Sequence, residues 1–306
     1  MTDLQYDILV AGEINPDLIL SGDVSPEFGQ VEKLVDRAVL TIGSSSVIFA
    51  CGAARLGLKV GFIGKCGDDI FGQFMLDQLR KGRVDPRYVM VVPNGDTGLS
   101  VILNTGVDRA ILTAPGLTTA LRAEEVTDAL LCRASHLHVA SYFLQKELRP
   151  DLSALFGRAH SLGLTTSLDT NYDPTEQWLG LNDLLSVTNV FLPNETEAKS
   201  ITKEKSIDAA ARSLKGKVET LVIKLGARGA LGISGNHSAK ANSIPMTVVD
   251  TVGAGDSFDA GFIYGYLNQW ELEKSLRLGC TCGSLSTRAS GGTAAQPTLE
   301  EALCYV

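Results

Sequence analysis

The stretch Val249-Asp-Thr-Val-Gly-Ala-Gly-Asp-Ser-Phe-Asp-Ala-Gly-Phe262 decides how the rest of the chain is read. Its start reads as a strand end that runs into Gly253-Ala254-Gly255 and then directly into a helix. Small residues let successive backbone N–H groups turn towards one point. The helix N-terminus adds partial positive charge there, which makes an anion site. Asp256 follows at the helix start. An acid in that position caps a helix. It also stands against the anion that the site would hold, the layout needed when a hydroxyl loses its proton while attacking a phosphoryl group. The sequence leaves both readings of Asp256 open.

Outward from this motif, strands and helices alternate. Strand-like runs lie at Asp7–Ala11, Val60–Ile63, Leu137–Val139, Thr165–Leu168, Val190–Leu192, Thr220–Ile223 and Ala230–Ile233. Several are unbroken apolar or β-branched runs, as in a parallel sheet buried on both faces. Helical patterns fill the gaps at Ser46–Leu56, Gly72–Lys81, Glu124–Leu131, Arg149–Ser161, Glu195–Ile201 and Ile207–Leu214. Two longer ones run over Ser257–Trp270 and from Glu273 to about Arg288. This βαβα order predicts an α/β fold, a doubly wound and mostly parallel sheet with helices on both faces. Short alternating strands in 13–40 and 96–113 break the rhythm. They predict a small separate β-sheet acting as a lid, with 1–12, 41–95 and 114–306 forming the main domain.

The 306 residues are 44% hydrophobic and 20% charged, an ordinary globular composition that excludes wholesale disorder. The net charge of −8 and the lack of a basic run argue against nucleic acid or an acidic membrane as a partner. The first residues, MTDLQYDILVAGEINPD, have no apolar stretch of signal-peptide length, and the uncharged run from Ala38 to Ala54 is too polar for a membrane span. Six cysteines without paired CxxC spacing read as reduced thiols, so the expected compartment is the cytoplasm. No G-x-x-x-x-G-K-[ST] occurs, which argues against a P-loop kinase. The first strand ends Ala11-Gly12-Glu13-Ile14-Asn15 rather than G-x-G-x-x-G, which argues against a dehydrogenase.

Asp250-Thr-Val-Gly-Ala-Gly-Asp256 with Ala260-Gly261-Phe262 resembles the C-terminal signature of the ribokinase-like carbohydrate kinases, the PfkB family. Four further elements resemble the family in order along nearly the whole chain. They are Gly43 with Ala53-Ala-Arg-Leu-Gly57, Gly64-Lys-Cys-Gly-Asp-Asp69 with Gly72, Pro193-Asn-Glu-Thr-Glu197, and Lys224-Leu-Gly-Ala-Arg-Gly229. Gly12 and Asp17 resemble the family's opening strand and its sugar-contacting acid. The resemblance implies transfer of the ATP γ-phosphoryl group to a hydroxyl of a sugar or nucleoside. It makes Asp256 the general base and the amides of Gly253, Ala254 and Gly255 the anion hole. It puts Lys224, Gly226, Gly229 and Thr251 by the nucleotide, and has Asn194 and Glu197 act on Mg²⁺ and phosphate through water. It implies Asp250 and the loop at about 288–293 as a site for a monovalent cation, K⁺. It also implies a homodimer formed through the small sheet.

The chain departs from the family at two places. The usual Gly-Gly pair is Gly43-Ser44, and Ile48 stands where an asparagine commonly bonds a substrate hydroxyl, which isoleucine cannot do. No substrate-facing glutamate is evident in His138-Val-Ala-Ser-Tyr-Phe143; Ser141 and Tyr142 occupy that region. The substrate-facing set is therefore Asp17, Gly43, Ser44, Ile48, Arg109, Ser141, Asp169 and Asn171. Asp169 and Asn171 belong either to a ligand-binding loop at the carboxyl end of the sheet or to an Asx-turn. Arg109 either meets an anionic ligand on the lid or is simply solvated. His136 and His138, alternating on a strand, are packed, near the substrate, or on a metal. For a nucleoside, Phe49, Tyr142 and Phe143 are the stacking candidates. A sugar kinase is the reading; a nucleoside kinase of the same family, or a catalytically idle sugar-binding relative, is the alternative.

Overall fold

Apolar runs without alternation make strands that are buried on both faces, and these build the centre of the molecule. A computed structural model describes residues 4–106 and 108–306. The strands are β1 (Tyr6–Ala11), β2 (Pro16–Ser21), β3 (Arg37–Ile42), β4 (Val60–Gly67), β5 (Asp85–Val92), β6 (Leu99–Asn104), β7 (Arg109–Ala114), β8 (Ala134–Val139), β9 (Thr165–Leu168), β10 (Val190–Phe191), β11 (Thr220–Lys224), β12 (Ala230–Ser234) and β13 (His237–Ala241). The helices are α1 (Ser45–Arg55), α2 (Ile70–Lys81), α3 (Asp128–Leu131), α4 (Leu152–Ser161), α5 (Asn182–Ser186), α6 (Glu195–Thr202), α7 (Ile207–Leu214), α8 (Ala254–Leu267), α9 (Leu272–Ser286) and α10 (Leu299–Leu303).

Nine strands form the large sheet in the order β13-β12-β11-β10-β9-β8-β1-β4-β5. It is parallel from β11 to β5, and β12 and β13 add an antiparallel hairpin at one edge. One core, with Phe49, Phe62, Phe262 and Leu278, lies between the sheet and α1, α2, α8 and α9. A second, with Leu137, Phe156, Leu184 and Phe191, lies under α4, α5, α6 and α7. The carboxyl ends of β1, β9, β10 and β11 open on the same side, where ligands bind in such sheets.

A second sheet has the order β3-β2-β6-β7. Its β2–β6 pair is parallel and its other two pairs are antiparallel. Ile19, Ile42 and Ile102 are buried, while Leu40, Ile111 and Leu112 are exposed.

The expected α/β order is present, with four differences. Residues 249–252 are not a strand; the backbone N–H groups of Val249 and Asp250 instead donate to the carbonyl of Thr287. The helix expected from Ser257 begins at Ala254, so Asp256 sits within its first turn. The helix expected over 124–131 splits into a single turn at Ala123–Glu125 and α3, because Val126 (φ −85°, ψ 82°) leaves helical geometry between them. Strands β3, β5 and β13 and helices α5 and α10 were not anticipated from the sequence.

Candidate active site

Gly253 precedes α8 with φ of 73°, in the left-handed region that glycine enters without strain. A Cβ there would lie 2.7 Å from Gly292 Cα and 2.9 Å from both Gly292 O and Ile48 Cγ2. The turn therefore brings the first amides of α8 against the Gly291-Gly292 loop. Among the described residues the Gly253 and Gly255 amides have no backbone acceptor and are free for an anion, while the Ala254 N–H donates to the Thr251 carbonyl at 3.2 Å. Asp256 lies in the same first turn and is buried. Burial, then the charge of Asp169, push its carboxyl up to about 8; Lys224 opposes this, Glu13 adds to it, and a Ser45 hydrogen bond relieves it.

Asp256 is one of three carboxylates. Asp169, at the end of β9, and Asp259, one turn along α8, each bring an oxygen within 4.8 Å of the others. Lys224 Nζ donates to Asp169 Oδ2 at 2.8 Å and to Asp259 Oδ2 at 3.0 Å. Burial works against the Lys224 charge, but Asp169, Asp259 and Glu197 outweigh it and hold the amine protonated. Burial also works against the Asp169 charge, and Lys224 overcomes it, so that carboxyl is held below its usual value. Asp259 goes the other way, raised by burial more than Lys224 can offset.

The proposed substrate side is built around Glu13, which sequence reasoning missed. Glu13 follows β1 and is buried. Its carboxylate accepts from Ser46 N at 3.1 Å, Ser46 Oγ at 2.6 Å, Ser141 Oγ at 2.8 Å and Ser44 Oγ at 3.3 Å. An acid at the start of α1 gains from the helix dipole as well as from these bonds. Asn171 Nδ2 donates to Ser141 Oγ at 2.9 Å, so Ser44, Ser141 and Asn171 form one polar group with Glu13. All three have φ between 51° and 63°, strained values for non-glycine residues that gather where function demands them. The signal available in the sequence was an acid two residues after the apolar first strand.

Asp17 on β2 is buried, and burial raises its carboxyl to about 6 against the charge of Arg109 and a hydrogen bond from Ser100. A Cβ on Gly43 would run 2.7 Å from Asp17 Cγ and from Asn15 Nδ2, so glycine is what lets this acid pack beside α1. Arg109 is exposed on β7. Ile48 is buried and packs on Gly253 and Gly292. His136 and His138 are fully buried, each 2.7 Å from Ser167 Oγ. His138 stacks on Phe49 at 3.6 Å between ring centroids. Tyr142 and Phe143 are buried, with Phe143 edge-on to Trp178.

Beside the first turn of α8 lies a cavity of about 590 Å³. Gly226, Ala227, Gly229, Ile244, Met246, Val248, Thr251 and Gly255 line it, with the backs of α8 and α9. Gly229 has φ of 88°, and a Cβ there would strike the Ala241 backbone, so the turn from β11 into β12 stays narrow and close to the cavity. Asn194 caps α6 in a reciprocal box with Glu197: Glu197 N donates to Asn194 Oδ1 at 3.0 Å and Asn194 N to Glu197 Oε2 at 2.9 Å. Burial, then Asp169, raise Glu197 to about 7. On the far side, Asp250 Oδ2 accepts from Gly291 N at 3.0 Å and Oδ1 from Val252 N at 3.0 Å, which joins Asp250 to the loop after α9.

Comparison with known proteins gives the family and the fold. The sequence pattern of the pfkB family carbohydrate kinases matches residues 6–299. The chain is 31% identical to the 2-dehydro-3-deoxygluconokinase of Bacillus subtilis, over 92% of this chain and 90% of that one. Its fold is similar to that of Arabidopsis thaliana ribokinase complexed with ribose and ATP, with a TM-score of 0.87 at 21% identity over 99% of both chains. It is also similar to a putative ribokinase II from E. coli in complex with ATP and Mg²⁺, with a TM-score of 0.85 at 22% identity over 98% of both.

Proposed function

The chain belongs to the pfkB family of carbohydrate kinases, and from that premise we propose that it moves the γ-phosphoryl group of ATP to a hydroxyl of a sugar or sugar derivative, with Asp256 as general base. The observation that carries this is the first turn of α8. One turn supplies the amides of Gly253 and Gly255, which have no backbone acceptor among the described residues, and a buried carboxyl raised to about 8. A base with a value that near neutrality can take a proton in the transition state and release it afterwards. The amides of Gly253, Ala254 and Gly255 stand where negative charge develops on the transferred group.

Nucleotide fits the cavity beside Gly226, Gly229 and Thr251, where glycine lets backbone approach phosphates closely. Sugar fits the opposite side, between Asp17, Gly43, Ser44, Ser141, Asp169 and Asn171, with Arg109 at the rim. Glu13 and Ile48 act from behind this surface, one by holding the serines and the other by holding the loop. The acids and amides present fit an Mg²⁺-bound nucleotide. Asn194 and Glu197 already use their near oxygens on one another, so they fit contact through water. Mg²⁺, when bound, offsets charge on the phosphates. The carboxylate of Asp250 with the 288–293 loop suits K⁺.

The small sheet, with 13–40 and 96–113, acts as the lid over the sugar, and its closure would keep water from ATP. Its apolar outer residues Leu40, Ile111 and Leu112 favour burial in a homodimer. Among the described residues no helix is long and apolar enough to cross a membrane, and a soluble substrate suits the cytoplasm. The test is ADP release with magnesium-ATP against aldoses, ketoses, sugar acids and nucleosides. Turnover on at least one sugar is expected. Silence across the panel, with no magnesium-ATP binding, would overturn the reading.

A further inference from the structure

Lys224 ends β11 beside the nucleotide cavity, where a phosphate ligand would be expected, yet its ammonium is already engaged. Nζ donates to Asp169 Oδ2 and Asp259 Oδ2. It lies 3.6 Å from where a Cβ on Gly255 would stand, under the proposed anion hole. The three side chains are 11%, 2% and 1% exposed, so water screens none of them. Two of three N–H donors are spent on carboxylates, which leaves one for any further partner. Elements far apart in sequence, the end of β9, the end of β11 and the second turn of α8, thus meet on a single cation.

The groups that act on Asp256 come from every side of it: Asp169 after β9, Lys224 on β11, Glu13 after β1 and Ser45 at the start of α1. Asp169 and Glu13 oppose its ionisation, and Lys224 is the positive charge among these four. We infer that Lys224 is a positioning residue for phosphoryl transfer: its ammonium ties β9 and β11 to α8 and offsets Asp169, so that Asp256 is aligned below the Gly253–Gly255 amides and loses its proton more readily than it would without the cation. This rests on Asp256 being the base. It differs from a nucleotide-binding lysine, whose loss weakens ATP binding, and from a plain structural counterion, whose loss lowers stability alone.

Three variants separate these roles: Lys224→Met, Lys224→Arg, and the double variant Lys224→Met with Asp169→Asn. Each is followed by thermal melting, KM for magnesium-ATP and the pH profile of kcat/KM. Lys224→Met should lower kcat by about 10–10²-fold, the scale of a small misplacement at a reacting centre. Its acid limb should move to higher pH by about 1–2 units, since a nearby cation no longer favours the charged base. KM for magnesium-ATP should stay within about threefold. Lys224→Arg should return the limb to its wild-type position. The double variant removes cation and anion together, so it should fold even if Lys224→Met does not, and its limb should move back towards wild type. A limb that stays fixed in all three, with KM for magnesium-ATP up tenfold, overturns the inference in favour of a nucleotide ligand. A lower melting temperature with an unchanged profile overturns it in favour of a counterion. Turnover by the wild-type enzyme establishes the kinase reading separately, so failure in this series counts against Lys224 alone.

Discussion

Ile48 rests on Gly253: its Cγ2 lies 2.9 Å from where a Cβ on that glycine would stand, and its Cγ1 lies at the same distance from a Cβ on Gly292. The side chain that breaks the family's asparagine pattern thus holds the anion-hole turn against the loop after α9. Ile48→Asn should not recover a sugar contact. It should bury an amide among apolar groups, at a cost of about 1–3 kcal/mol. The expected result is a lower melting temperature with no gain in KM for the sugar. An Asn variant that binds sugar more tightly at unchanged stability would show that position 48 faces the substrate.

Gly253→Ala tests the turn itself. Alanine at φ of 73° pays about 1–2 kcal/mol for the left-handed conformation, and its Cβ meets the Gly292 backbone, which cannot rotate away. The amides should shift away from the transferred group. Loss of one such donor costs about 10²–10³ in kcat. We expect a fall of that order with KM for the sugar nearly unchanged, measured by steady-state ADP release. A variant with near-normal kcat would remove these amides from the mechanism.

Glu13 acts on Asp256 at a distance, and its charge helps to raise the base. Glu13→Gln removes that charge. The acid limb of kcat/KM should move to lower pH, opposite in direction to Lys224→Met. Because Glu13 also gathers Ser44, Ser46 and Ser141, the variant should lose stability as well, by about 1.5–3 kcal/mol for weakened charged hydrogen bonds. A limb that rises or stays fixed would show that Glu13 is only a scaffold.

What the sequence revealed tracks how local each signal is. The glycines around Asp256 imply a turn and a helix start by themselves, and the unbroken β-branched and apolar run at 220–223 reads as a buried strand. Strand β5 begins Asp-Pro-Arg and is half-buried except at the exposed Arg87 and Val91, so neither a continuous apolar run nor a clean alternation marks it. Strand β3 is exposed or half-buried except at Ile42, so almost no core face marks it. Glu13 and Asp259 gain meaning only once segments 33 to 128 residues apart in sequence, or the ends of β9 and β11 with the second turn of α8, come together. The bonds that fix Lys224 span 55 and 35 residues, beyond any motif.

Asp256→Asn is the decisive variant. Asparagine keeps the shape of the side chain but cannot take the proton from the acceptor hydroxyl; the N-cap of α8 is Gly253, with no side-chain cap bond, so Asp256 does not cap the helix. A carboxyl that only packs in the first turn would lose little activity; loss of a general base should lower kcat by about 10²–10⁴-fold. Magnesium-ATP affinity should survive, since the hole consists of backbone amides. Stability supplies a second sign. The carboxyl rises from 3.8 to about 8 on folding, so between those values the folded protein binds the extra proton. Stability from this group is full at low pH and is lost as pH rises towards 8. Asparagine has no such slope, so the melting temperature of the variant should gain on wild type between about pH 4 and pH 8 while turnover stays collapsed. The wild-type acid limb of kcat/KM should correspondingly lie near pH 8, far above an ordinary carboxylate. An Asp256→Asn protein that phosphorylates its sugar at the wild-type rate would remove the base, and the raised carboxyl would then be only a buried polar group in the first turn of α8.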